Sequence, residues 1–87
     1  MHIEYYKNFI KSFKKRFRNN LKVKKQYERH LKMFIANTKN PLLKDHQLVG
    51  DKITLRAFSI TGDIRIVYKK IGDRIIFLDI GTHNQVY

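Results

Sequence analysis

Cysteine is absent from the 87-residue chain. That excludes two common ways of holding a small fold together, disulfides and a thiolate metal centre. A cysteine-free chain agrees with a reducing cytosol, although exported proteins can also lack cysteine. No apolar run approaches the roughly 20 residues of a helical membrane span. The first residues carry Glu4 and no apolar core segment, so they do not have the form of a secretory signal. The expected address is therefore the cytoplasm, with no membrane partner. An internal repeat, a glycine-rich phosphate loop and a Ser/His/Asp signature are also missing. Acid is the scarce class: seven Asp and Glu stand against nineteen Lys and Arg, a formal net charge of +12. In so small a chain this excess points to a polyanionic partner, most often nucleic acid, or to an acidic protein that neutralises the surface. A basic surface kept only for solubility is the weaker reading.

What is present is enough to fold. A chain that is 43% hydrophobic and 13% aromatic can pack an interior, and its length fits one domain over residues 1–87. His2 to Tyr6 reads as a short strand with Ile3 and Tyr5 on one face. From Tyr6 the period changes: Phe9, Ile10, Phe13 and Phe17 fall at helical spacing, and Asn19-Asn20 suits both a helix stop and the next N-cap. A second helix is expected from Leu21 to Asn37, with Val23, Tyr27, Leu31, Phe34 and Ile35 as its apolar stripe. Asn40-Pro41 stops it, and Leu42 to Asp51 reads as a loop. Ile53 to Ile60, Ile64 to Lys70 and Arg74 to Ile80 carry the β-branched and aromatic residues of strands, punctuated by Thr61-Gly62 and Gly72-Asp73. The expected fold class is α+β, in the order β-α-α-β-β-β. Its helical hairpin should pack on one face of a twisted, mainly antiparallel sheet, leaving the second face more open.

Eleven of the nineteen basic residues lie between Lys7 and Lys32, opposed only by Glu28. Singly each lysine reads as solvated helix surface; together they form a surface for phosphate backbones that gives affinity without sequence choice. The residues off the helices are of another kind. His46 lies in the loop, Arg56 in a strand, Asp63 and Arg65 about the next turn, and His83 and Tyr87 after the last strand. A meander can bring them to one side of the sheet. Metal-free RNA cleavage needs a base for the ribose 2′-OH, an acid for the departing 5′-oxygen, and cations for the charge on the pentacoordinate phosphate. It also needs a face on which an unpaired base can stack. Two histidines, two arginines and Tyr87 can fill those roles. Each also has an ordinary reading, as turn, strand-surface or core-capping residue, and His2 and His30 read as structural. His46, Asp63 and His83 lack the close paired spacing of a zinc site, so no metal and no cofactor is expected. Composition and spacing reach a basic, nucleic-acid-binding α+β domain.

From about Pro41 onward the chain resembles the RelE/YafQ family of bacterial type II toxins, the ribosome-associated mRNA interferases, and within it the YafQ branch. Lys44-Asp45-His46-Gln47-Leu48-Val49-Gly50 resembles that branch's "DHxLxG" segment. Arg56 stands where the family has a strand arginine, followed by Asp63 and the strand Ile64-Arg65-Ile66-Val67-Tyr68. Gly81-Thr82-His83-Asn84-Gln85-Val86-Tyr87 resembles its "GTHxxLF" close. The first half matches in pattern alone, a strand and then a basic helical hairpin. Two positions depart: Ser59 stands where the pattern has another histidine, and Asp79 lies where a basic residue is often found.

The resemblance implies a RelE/ParE-like fold and catalytic roles for His46, Asp63 and His83. It implies an aromatic contact to mRNA for Tyr87, where the family often has Phe, and leaves Arg56 or Arg65 to compensate for charge. The implied activity is that of an endoribonuclease cleaving mRNA in the ribosomal A site by 2′-OH attack. The implied partners are the mRNA on the ribosome and an acidic cognate antitoxin. Two other readings keep the fold: a ParE-like toxin acting on DNA gyrase, and a catalytically impaired member that binds only antitoxin or RNA. ParE-like chains lack the paired histidines, so His46 and His83 favour the nuclease.

Overall fold

The computed structural model describes residues 1–87. Its helices, α1 (Lys7–Phe17) and α2 (Leu21–Ala36), form where phenylalanine recurs every fourth residue and where Asn20 can start a new helix. The Asn20 side chain accepts from Val23 N at 3.1 Å, satisfying one of the backbone donors that a helix start leaves open. Phe9, Phe17, Val23 and Phe34 are buried, whereas Ile10 and Ile35 are 44% and 53% exposed. The expected apolar stripes were thus one residue too wide on each helix. His30, on α2, binds Ser59 O through Nδ1 at 2.6 Å, which ties the hairpin to the sheet beneath it.

Five strands make one mixed sheet, β1 (His2–Tyr5), β2 (His46–Gln47), β3 (Arg56–Ser59), β4 (Ile64–Ile71) and β5 (Arg74–Thr82), in the spatial order β1-β5-β4-β3-β2. Only β1 runs parallel to its neighbour, β5; the other pairings are antiparallel. Glu4 and Arg74 clamp that parallel edge through bonds of 2.6 and 2.9 Å, and the arginine holds the Glu4 carboxyl below its ordinary range. The order is the one expected, with a two-residue strand, two 3-10 turns and a last helical turn added. Within the segment read as a loop, Pro41–Leu43 forms a 3-10 turn that buries Leu43, and His46–Gln47 pairs with β3. A second 3-10 turn at Gly50–Lys52, closed by Leu55 N to Lys52 O at 2.9 Å, delays the next strand to Arg56 rather than Ile53.

The pairing of β4 with β5 slips once: Val67 faces Asp79, whereas Tyr68 faces Phe77, so Leu78 is an extra residue. Such a bulge shifts the side-chain alternation by one. Ile75 and Phe77 before it and Ile80 after it can therefore all enter the helix-side core, beside Phe34, Phe58, Ile60 and Ile66. The opposite face is less open than expected. Leu48, Ala57, Val67 and Val86 form a second cluster there, with Leu55 and Tyr87 packed on it. It is roofed by the 48–55 loop and by a last helical turn, α3 (His83–Val86). No helix is long and apolar enough to cross a membrane.

Candidate functional site

α3 begins where Thr82 and Gln85 close a capping box: Gln85 Oε1 accepts from Thr82 N at 2.8 Å. That spacing, Thr-x-x-Gln, is a helix-start signal readable in the sequence. It turns the chain at His83 and brings the Tyr87 ring edge-on to the imidazole, with centroids 4.5 Å apart at 84°. Gly81 lets the turn come close. A Cβ there would stand 2.6 Å from Gln85 Oε1, 2.7 Å from Arg16 Nη1 and 3.0 Å from Gln85 Cβ. Arg16 arrives from α1 at the edge of β5 beyond the end of β1, donating to Ile80 O at 2.7 Å and pairing with Asp79 at 3.4 Å. Asp79, one of the two departures from the family pattern, is thus a tether for α1. Gly81→Ala is expected to displace α3 or Arg16 and to cost about 1–3 kcal/mol, read from chemical denaturation. An unchanged midpoint would mean that both long side chains swing aside freely.

His46 is positioned from the other side. The Asn40 side chain caps the 3-10 turn by accepting from Leu42 N at 3.0 Å. Lys44 then takes a left-handed conformation (φ 50°), and the chain enters β2 with His46 opposite Ala57. His46 Nδ1 lies 2.9 Å from Lys44 O. A carbonyl can only accept, so Nδ1 carries the proton and Nε2 of the neutral ring is the free acceptor. His46, His83 and Tyr87 line one cleft of about 410 Å³. Gln47, Leu48, Val49, Asp51 and Lys52 complete its walls.

The remaining candidates divide. Arg65 lies 6.0 Å from the centre of the Tyr87 ring without lining the cleft. The Tyr87 hydroxyl is buried and unpartnered; burial raises its pKa, and Arg65 opposes that shift. Asp63 is exposed in the turn before β4, its amide bonded to Thr61 Oγ1 at 3.1 Å. The pairing of Ile64 with Thr82 sets that turn beside the start of α3, but Asp63 bonds to neither imidazole. Arg56 does not join them. It pairs in register with Tyr68, a core residue on the helix side, while Ala57 and Val67 face the cleft side. The two arginines expected on one concave surface therefore lie on opposite faces of the sheet, as an odd number of strand positions requires. Arg56 Nε and Nη2 bind Asp45 at 2.8 and 2.7 Å, and Tyr68 donates its hydroxyl to the other Asp45 oxygen. Burial and the Asp45 carboxylate together push the Tyr68 hydroxyl far up. This part-buried triad fixes the residue immediately before His46.

Two features escaped the sequence reading. Lys52 Nζ donates to Tyr87 O at 3.0 Å and reaches Val86 O at 3.4 Å, satisfying main-chain oxygens that a helix end leaves open. The Asp45–Arg56–Tyr68 triad could have been suspected from Asp45 itself, an acid in a basic chain beside a strand arginine. No group of three or more His, Asp or Glu side chains converges to hold a metal ion.

Over residues 1–87 the chain matches the family model described as the bacterial toxin of a type II toxin-antitoxin system, YafQ. Among curated proteins none matches. Among solved structures it is similar to a copper-bound mutant toxin from Helicobacter pylori, at 26% identity and a TM-score of 0.81 over 100% of this chain and 99% of that one. It is similar to the E. coli DinJ–YafQ complex at 25% identity and TM-score 0.80, covering 98% and 96%. A YoeB/ParE toxin from Agrobacterium tumefaciens shares the fold at 17% identity and TM-score 0.75, covering 95% and 99%.

Proposed function

This chain belongs to the YafQ family of bacterial type II toxin-antitoxin toxins, and on that premise we propose that it is an endoribonuclease that cuts mRNA in the ribosomal A site without a metal. The observation that carries the reading is the single cleft lined by His46, from β2, and His83, from α3. Two imidazoles on separate elements can flank one phosphate. His46 Nε2, left free by the bond from Nδ1 to Lys44 O, takes the proton of the 2′-OH. The 2′-oxygen attacks phosphorus, the bond to the 5′-oxygen breaks, and the leaving oxygen receives a proton from the His83 imidazolium. The products are a 2′,3′-cyclic phosphate and a 5′-hydroxyl end. Tyr87 stacks on or orients the nucleotide. Asp63, in the turn beside the start of α3, is the carboxylate nearest in register to the charged form of His83. Arg65 adds positive charge behind Tyr87, and Arg56 acts through Asp45, by holding the approach to His46.

The ribosome supplies the positioning that so shallow a cleft lacks, which accords with the basic helical hairpin. Lys11, Lys14, Lys15, Arg16 and Arg18 line a concavity of about 600 Å³ that contains no hydrophobic residue. The same surface suits an acidic cognate antitoxin, and the similar E. coli YafQ forms a toxin-antitoxin complex with DinJ. A gyrase-directed toxin of this fold would leave the paired histidines without a task. The test is inducible expression followed by mapping of mRNA ends on translating ribosomes. New 5′ ends at A-site codons are expected. Growth arrest with A-site mRNA intact would end the nuclease reading, and a DNA supercoiling assay would then test the alternative.

A further inference from the structure

Among the residues that line the cleft of His46 and His83, Lys52 is the only lysine or arginine. The other cations near it are committed elsewhere: Arg56 is bound to Asp45 on the far face, Arg65 lies beside the Tyr87 ring, and Arg16 holds Ile80 O and Asp79. Lys52 is half-buried and held from two sides. Its backbone closes the Gly50–Lys52 turn, and its ammonium donates to Tyr87 O and Val86 O. An ammonium has three hydrogens. Two therefore fix the end of α3, and one remains for a ligand.

We propose that Lys52 is the cation of the reaction: it donates to a non-bridging oxygen of the scissile phosphate and steadies the charge added in the pentacoordinate state, while its other donors hold α3 and His83 in place. The proposal rests on the nuclease reading and deepens it. Lys52 keeps its protons throughout, so the acid and base steps of the histidines are unchanged. The neighbouring Asp51 also lines the cleft. Without Lys52, that carboxylate would stand in the cleft with no lysine or arginine to oppose it, and it would disfavour the bound phosphate.

The test uses the purified chain in excess over ribosomes stalled on a defined A-site codon, with wild type, K52Q and K52R compared at saturation. Glutamine keeps N–H donors for the Val86 and Tyr87 main-chain oxygens but carries no charge. K52Q is expected to cut roughly a hundredfold more slowly at saturation, with the half-saturating concentration little changed. K52R is expected to recover most of that loss, within about tenfold of wild type. A K52Q rate within a few-fold of wild type, or a K52R rate no better than that of K52Q, overturns the assignment. Thermal midpoints are measured alongside; if K52Q loses its cooperative transition, K52M, with an unbranched stem of similar length, replaces it under the same criteria. Wild type that leaves A-site mRNA uncut sinks the nuclease reading and this proposal together. Wild type that cuts, beside an equally fast K52Q, sinks this proposal alone.

Discussion

His83→Ala is expected to slow cleavage of A-site mRNA by roughly three orders of magnitude, the middle of the range for loss of a positioned general acid. The fold should barely notice. His83 is exposed at the first position of α3, and its one aromatic contact, with Tyr87, is worth on the order of 1 kcal/mol. Rate and stability should therefore part company, and the pair of measurements is single-turnover cleavage on stalled ribosomes beside a thermal melt. A variant that cuts as fast as wild type would remove the tail from the catalytic assignment even if the chain is a nuclease. Substitution is a sharper test than truncation. Val86 and Tyr87 close the second apolar cluster, so deleting the tail would expose Val67 and Ala57 and confound lost chemistry with lost packing.

The largest expected loss of stability is at Phe34. Its ring has no exposure, stacks on Phe58 at 4.4 Å and 15°, and meets Tyr68 and Phe77 edge-on at 5.1 and 6.0 Å. Phe34→Ala removes the piece of α2 that enters the sheet between three aromatic rings, and deletions of this kind cost about 3–5 kcal/mol. Small domains have about 5–15 kcal/mol in all, and a chain of this length belongs near the lower end. The variant is expected to be partly unfolded at 37 °C, seen as a lowered denaturation midpoint with the slope retained. A midpoint within about 1 kcal/mol of wild type would show that the rings collapse into the space.

The helices and the long strands were legible because their periods are strong: phenylalanine at every fourth position of α1, and β-branched runs bounded by Gly62 and Gly72. The histidines of the cleft were legible as residue types at motif spacing. What escaped depends on distance or on phase. β2 is two residues long and has no period to detect. The bulge at Leu78 changes which side chains face the helices, and no local signal marks it. Arg56 and Arg65 looked equivalent as strand arginines, yet register decides that only Arg65 shares a face with Tyr87. Lys52 reads as an ordinary loop lysine, because the main-chain oxygens that it binds lie 34 and 35 residues further along the chain.

One consequence follows from β5 standing between β1 and β4. Its partner in the parallel pairing is some seventy residues earlier, His2 against Arg74 through Tyr5 against Phe77. During synthesis, β1 and both helices leave the ribosome before the strand that organises them exists. The hairpin's apolar stripe must wait uncovered, and the cleft cannot assemble until β5 and α3 have cleared the exit tunnel. Such long-range closure is slow compared with local helix formation. A polypeptide whose proposed target is the translating ribosome is thus harmless to the one that makes it at least until its own message has been read through the whole of this sequence.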